Sequence, residues 1–497
     1  MLRFTFERFL MNSNNALKQN LLAVFTCCFF TLYSGINSAK STINHSLHPD
    51  AKKVLDVWLT AQLDYQQIPY MSVSYVKDQA LVFNASYGHI EQNRIMPANN
   101  NTIASICSIS KVFTATAIMK LVSQGKLNLD DKVIDLLPQL SVMPKDASLG
   151  DIKLIHLLNH TSGLPRDTLH SYWSGPKHHF PTKKELYASL ANQHLESAVD
   201  KHSNYSNVGY ALLGQIIEKA SNTSYKKFIE SEIFAPLNMN DSTVEMTLSN
   251  YGKSHALGYT ATNRNGKRQQ ASFYTTQAMQ SAAGISSNAH DLAKFAMWQF
   301  RELESINPEL INADTLNAMY QTDHSPATKN RGFGYQIQTS QSGDIWAMHG
   351  GMCPGYNSFI QLNITQKQSF AVVTSANKVK AISYINNLKE ILKRAALIND
   401  NAKTNSSLQE YAGFYDLNPW NSEYYVGAWG DELILLYLPV QSVKHAMYHY
   451  KQVGKDRFQL IKDGELTAET LTFKRNKEGN IVAINNNGNV HNKLKDL

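Results

Sequence analysis

A hydroxyl, Ser108, and an amine, Lys111, stand three residues apart in the run from Ser105 to Gly125 (SICSISKVFTATAIMKLVSQG). On a helix that spacing puts both side chains on one face, where the amine can reach the hydroxyl and take its proton. The pattern predicts a single helix over 105–125, with Val112, Ala115, Met119 and Val122 as a buried stripe beside the lysine. Burial disfavours the ammonium form, so Lys111 is expected to act as a neutral base. Gly125 falls just past the helix end. Ser108, at the opposite end, sits where unpaired backbone N–H groups and the helix dipole favour developing negative charge.

Ser-x-x-Lys alone is too short a signal to mean catalysis. Two further clusters give it context. In Asn204-Tyr-Ser-Asn-Val-Gly-Tyr-Ala-Leu-Leu-Gly214 a loop enters an apolar helix. Tyr205 is suited to relay a proton, its phenolate being favoured beside a lysine ammonium, and Asn207 offers a donor and an acceptor to a substrate amide. Read alone, the same residues make an ordinary capped helix start. The third cluster, Trp346-Ala-Met-His-Gly-Gly-Met-Cys-Pro-Gly-Tyr356, places glycines after a strand, where a ligand can approach the backbone. His349, Gly350 and Gly351 are candidates to bind substrate, and the N–H of Met352 is a natural second oxyanion donor beside that of Ser108. Taken singly, this stretch is equally a tight turn with a surface histidine.

In this order the clusters resemble the serine β-lactamase and penicillin-binding-protein superfamily, most closely its class C β-lactamase and D-alanyl-D-alanine carboxypeptidase branch. The likeness extends to His156-Leu-Leu-Asn-His-Thr-Ser-Gly-Leu-Pro165, Ala282-Ala-Gly-Ile-Ser-Ser-Asn-Ala-His-Asp-Leu-Ala293 and Gly332-Phe-Gly-Tyr335, and covers about residues 50 to 398. It implies that Ser108 forms an acyl-enzyme while Lys111 and Tyr205 move its proton to the leaving group. His160 and Thr161 belong to a signature that is mostly a fold feature. One departure bears on substrate: where many β-lactamases carry Lys-Thr-Gly, this chain has His349 and then a glycine, which removes a fixed cation for a substrate carboxylate. Relatives with histidine here include peptidases acting on D-amino acids and esterases.

The elements that must carry these clusters follow from periodicity. A helix is expected over 50–66, ended by Pro69, then a hairpin of 71–76 and 80–87. Helical spacing recurs at 151–160, 183–192, 206–221, 224–233 and 289–302, a helical subdomain. Strands are expected at 333–338, 345–349, 356–363 and 369–375, before an amphipathic helix over 378–397. After a polar break, short β runs from 411 to 485 argue for a separate antiparallel barrel or sandwich. The fold class expected is α/β (α+β): a β-lactamase-like sandwich of an antiparallel sheet with helices over 45–398, then a small all-β barrel, lipocalin-like in the manner of some relatives, over 405–497. Within the helical region His170-Ser-Tyr-Trp-Ser-Gly-Pro-Lys-His-His-Phe180 has the composition of a pocket-lining loop, and Tyr172 and Trp173 are candidates to select substrate. The adjacent His178 and His179 do not by themselves supply a chelating geometry, and no metal or organic cofactor is expected.

Composition fits a globular chain: 43% apolar and 18% charged residues in 497 leave enough to bury for two domains. Of the net charge of +7, +2 lies in the first 39 residues, and no basic stripe points to nucleic acid. The apolar run 21–33 after Lys18, with small residues from Ser34 to Ala39, reads as a secretory signal cleaved near Ala39, with Met1 or Met11 as the start. The mature protein is then periplasmic or secreted, or anchored if the leader stays. Cys27 and Cys28 lie in that leader; Cys107 and Cys353 flank proposed catalytic residues, where a bridge is conceivable and small buried thiols are the expectation. The expected function is that of an exported serine hydrolase of small peptide, amide or ester substrates. A β-lactamase is the alternative, and a wall-fragment sensor that is acylated without turnover is the rival of another class. Oligomeric state is not encoded in any of these features.

Overall fold

A computed structural model describes residues 47–93, 95–146, 148–398 and 406–494; the leader lies outside them. A six-stranded sheet forms the centre, in the order Ala80–Gly88, Tyr70–Lys77, Gln368–Thr374, Tyr356–Asn363, Ile345–Cys353, Gln336–Thr339. Every neighbouring pair is antiparallel. Strands from both ends of the domain therefore meet at Tyr70–Lys77 and Gln368–Thr374, with Met71 opposite Thr374.

Each face of the sheet is covered by the helices its apolar residues require. Helix Pro49–Gln66 and helix Ala381–Ala395 pack on one face, burying Trp58, Leu59, Ile385 and Leu388 against Val73 and Val372. Helix Ala289–Glu302 lies on the other, tied by the Ala289 N–H to Ser72 Oγ at 3.0 Å. Beyond it sits the helical subdomain, built around helix Asn207–Ser221.

The nucleophile segment departs from a single helix over 105–125. Ala104–Ser105 is a short strand paired with Ile285–Ser287, Cys107–Ile109 is a 3₁₀ turn, and the α-helix runs Ser110–Ser123. All its residues from Ser110 to Leu121 are buried, not one stripe, because it runs between the sheet and the subdomain. The expected helix over 151–160 also shortens, to Leu154–Leu158.

Eight sequential antiparallel strands from Gly413–Asp416 to Asn489–Asn492 make the C-terminal barrel. The bridge between Tyr415 and Lys493 and the bond from Leu494 N to Phe414 O, 2.8 Å, bring its ends together. Alternation sorts its side chains by face. Tyr424, Val426, Leu433 and Leu435 fill the interior, whereas Tyr425, Trp429, Ile434 and Leu436 join the apolar layer of the two outer helices. Polar bonds lock the same junction: Gly430 N–H donates to Asp50 Oδ2 at 2.9 Å and Tyr65 to Glu423 at 2.8 Å. The barrel and the sheet thus share a core, which the polar break at 399–407 does not announce.

Candidate active site

Cys107 has φ of 51°, a left-handed conformation that costs energy for a non-glycine residue and sets Ser108 at the turn into the helix. One turn on, Lys111 is fully buried, and its Nζ lies 3.3 Å from Ser108 Oγ. Nζ also donates to the carbonyl of Ala282 at 2.7 Å, which gives that signature residue a use sequence reasoning missed: it aims the amine. Burial holds the Lys111 pKa well below the usual lysine value, outweighing the attraction of Asp167. A neutral amine has a lone pair for the Ser108 proton.

Tyr205 completes the group. Its hydroxyl lies beside Ser108, which favours the ionised phenol, and Lys111 Nζ is 4.8 Å from its ring centre. The expected phenolate is corrected: burial pushes the phenol up to about 12, so Tyr205 is a neutral donor between a neutral amine and a hydroxyl. His160 packs against this ring, tilted with centres 4.5 Å apart, while its Nδ1 accepts the Ser206 N–H at 3.1 Å. Burial keeps His160 uncharged, consistent with a positioning part in the fold.

The candidate oxyanion pocket lies at the end of strand Ile345–Cys353. Cys353 pairs with Tyr356 across the two-residue turn Pro354–Gly355, and Met352 with Asn357. In an antiparallel ladder such pairs alternate, so the Met352 N–H is turned away from its partner strand, toward the cleft. Gly351 lets this strand close on the nucleophile turn, since a Cβ there would stand 2.1 Å from Ile106 O. Cys107 and Cys353 form a disulfide, with Cα atoms 5.6 Å apart, where two free thiols were expected.

Ser108, Tyr205, Asn207, His349, Gly350, Gly351 and Met352 line one cleft of about 880 Å³. Asn207 donates from Nδ2 to Asp167 Oδ1 at 2.7 Å, leaving its buried Oδ1 with no hydrogen-bond partner among the described residues. His349 is no cation: burial, then the neighbouring Lys111, lowers it to about 3.

The aromatic loop divides. Trp173 lines the cleft, whereas Tyr172 is fully buried and does not; it donates to Asp167 Oδ1 at 2.5 Å, as Trp173 Nε1 does at 3.1 Å. Tyr172 therefore acts on the cleft only through Asp167 and Asn207, a correction to its expected contact with substrate.

Two cleft residues carry no motif and were missed. Arg166 and Arg331 place their guanidinium carbons 5.3 and 5.8 Å from the Tyr205 ring centre. Arg166 is within 3.4 Å of Asp167, but the half-buried guanidinium of Arg331 has no ion pair or hydrogen bond among the described residues. Both guanidinium groups therefore line the cleft whose third motif carries no fixed cation.

Comparison with known proteins gives the family and the fold. A penicillin-binding protein of Bacillus subtilis (strain 168) is 28% identical over 318 residues, 61% of this chain and 67% of that relative. Protein flp of Staphylococcus aureus (strain COL) is 26% identical over 337 residues, and the match spans 66% of this chain and 63% of flp. Among solved structures, an octameric penicillin-binding protein homologue from Pyrococcus abyssi superposes with a TM-score of 0.59 at 22% identity, covering 89% of this chain and 98% of its own. A class C beta-lactamase does so with 0.56 at 20% identity, over 71% and 97%. The beta-lactamase family model matches residues 55–389, and the chain belongs to that family.

Proposed function

We propose that this protein is a serine hydrolase that cleaves amide or ester bonds through an acyl-enzyme on Ser108. The observation that carries the reading is Lys111 Nζ, 3.3 Å from Ser108 Oγ and fully buried, where desolvation holds its pKa well below the usual lysine value and favours the neutral amine. Lys111 takes the Ser108 proton as Oγ attacks the substrate carbonyl carbon. The oxyanion is held by the N–H groups of Ser108 and Met352, each worth about 3 kcal/mol in comparable hydrolases. Tyr205 passes a proton to the leaving amine or alcohol as the tetrahedral adduct collapses, and recovers one from Lys111. Water then hydrolyses the ester by the reverse path. Asn207 Oδ1, unpartnered, suits a substrate N–H.

The substrates that suit this cleft are small peptides, amides or esters with a negative group near the scissile bond. Arg331 supports that anionic preference, since an unpaired, half-buried guanidinium gains most from a carboxylate. Peptidase action on D-amino-acid or cell-wall-type peptides, or esterase action, ranks above β-lactamase activity because the third motif begins with a neutral histidine. The Cys107–Cys353 bond supports export, as disulfides persist in oxidising compartments. Among the described residues no helix is long and apolar enough to cross a membrane.

The test is mass spectrometry after a fluorophosphonate and, separately, a penicillin, on wild type and Ser108→Ala. A wild-type adduct that Ser108→Ala lacks is expected. Adducts that persist in the variant would remove the reading, and a stoichiometric burst with no steady state would favour the sensor over the enzyme.

A further inference from the structure

The loop after Arg166 has an outer side as well as the inner one that meets the cleft. One ligating atom from each of His170, His179 and Glu185 lies within 4.8 Å of the other two. We propose that these three side chains form a binding site for zinc or a similar divalent transition metal, which clamps the aromatic loop to the helix Lys183–Leu190.

The spacing fits. His179 Nε2 stands 3.2 Å from Glu185 Oε1. A tetrahedral zinc with bonds of about 2.0–2.1 Å separates its ligands by about 3.3 Å, so these two are already at ligand distance and His170 has at most about 1.5 Å to close. Outer partners aim two of the ligands, as metal sites require. Glu185 Oε2 accepts the Thr182 N–H and hydroxyl, both at 2.8 Å, which leaves Oε1 to face the histidines. Thr168 Oγ1 lies 3.2 Å from His170 Nδ1. Two imidazoles and one carboxylate favour zinc over calcium or magnesium, and three protein ligands leave a position for water.

His178, the sequence neighbour, takes no part: its Nδ1 lies 3.2 Å from Tyr172 O and its ring packs against Tyr274. The chelating partner of His179 is eight residues upstream from its sequence neighbour, across the loop. A second grouping, Asp241, His290 and Asp291, makes a useful contrast. There Asp291 already receives the Lys294 ammonium at 2.8 Å, together with the Asp241 and Ser242 N–H groups, so its charge is met.

The consequence reaches the cleft. The loop that the metal would fix carries Asp167, which holds Asn207, and Trp173, which lines the pocket. The experiment is isothermal titration of the EDTA-treated full chain with zinc chloride, alongside melting curves with and without zinc and the visible absorption of the cobalt(II)-loaded protein. Wild type is expected to bind one zinc, melt higher with it, and show the intense bands of tetrahedral cobalt(II). His170→Ala/His179→Ala is expected to bind at least about tenfold more weakly and lose the zinc-dependent rise in Tm. If the double variant melts lower without metal, exposed His179→Ala alone serves as the probe. Equal zinc binding by wild type and variant, or no binding by wild type, overturns the site.

Discussion

Cys107 is bonded to Cys353, one residue before Ser108 and one residue after Met352, so a single covalent link adjoins both proposed oxyanion donors. The bond spans the nucleophile turn and the sheet edge, two elements otherwise joined near this point by contacts such as Ser358 Oγ to Ile106 O at 2.8 Å. Its removal is expected to lower kcat more than it raises KM, because the hole grips the transition state rather than the bound substrate. Cys107→Ala/Cys353→Ala is expected to lose about 2–5 kcal/mol of stability as well. Steady-state kinetics and denaturant melts check both. Unchanged kcat in a folded variant would show that the hole is held by packing alone.

Lys111 sets opposite demands on activity and stability. Its folded pKa is depressed, so between that value and the unfolded lysine value near 10.5 the unfolded chain binds the extra proton. Stability from this group therefore rises with pH across that window and is lowest on the acid side. Lys111→Met is expected to slow acylation by about 10²–10⁴ yet to melt at a higher temperature at neutral pH. The gain should shrink as pH climbs toward the unfolded value. In wild type, kcat/KM should fall on the acid side as Lys111 protonates. A stabilisation independent of pH would mean that the amine is not neutral in the folded protein.

Tyr205→Phe separates proton transfer from packing. The ring packed against His160 is kept and only the hydroxyl is lost. Its expected effect is about 10²–10⁴ on acylation with little change in melting. Because the phenol is pushed up to about 12, no phenolate absorbance from Tyr205 should appear across the neutral range in a wild-type minus Tyr205→Phe difference spectrum.

Sequence legibility tracked how local each feature is. Ser108, Lys111, Tyr205 and the His349-Gly-Gly351 segment lie in compact motifs with a periodic background; the structure brings Ser108, Tyr205 and His349-Gly-Gly351 to one cleft and buries Lys111 behind it, 3.3 Å from Ser108 Oγ. The strand and helix order was readable for the same reason. The disulfide was not, since pairing depends on a Cα separation of 5.6 Å between residues 246 apart. The final strand, Asn489–Asn492, is four polar-flanked residues with no apolar alternation, and only the closing bridge to Tyr415 gives it a place. Neither Arg166 nor Arg331 lies inside a motif: an arginine in a loop reads as solvated surface until the fold turns it over Tyr205. A signal existed for Arg331 in its place directly before Gly332-Phe-Gly-Tyr335. Gly334, with φ of 77° and a Cβ position 3.0 Å from Val112 Cα, seats that loop on the nucleophile helix.

Arg331→Ala tests the anionic preference. A charged hydrogen bond to a carboxylate contributes about 1.5–3 kcal/mol, so kcat/KM for a carboxylate-bearing substrate should fall about 10–100-fold. Its neutral amide or ester analogue should lose much less. The comparison uses matched substrate pairs on wild type and variant, and an equal loss on both would assign Arg331 to the placement of Tyr205 instead of the substrate.

Trp173 and Tyr172 adjoin in sequence yet answer to different tests. Trp173 faces the cleft, and Trp173→Ala is expected to reorder the preference among acyl groups of different size, read as ratios of kcat/KM. Tyr172 is buried with its hydroxyl on Asp167, the carboxylate that also holds Asn207 Nδ2. Tyr172→Phe removes one of three donors to a partly buried oxygen, and the remaining bonds from Trp173 and Asn207 keep the carboxylate placed. Its expected cost is therefore modest, about 1–3 kcal/mol of stability, with a uniform fall in kcat/KM across substrates rather than a reordering. A reordered profile in Tyr172→Phe would show that this phenol reaches substrate after all, through a loop arrangement different from the one that buries it on Asp167.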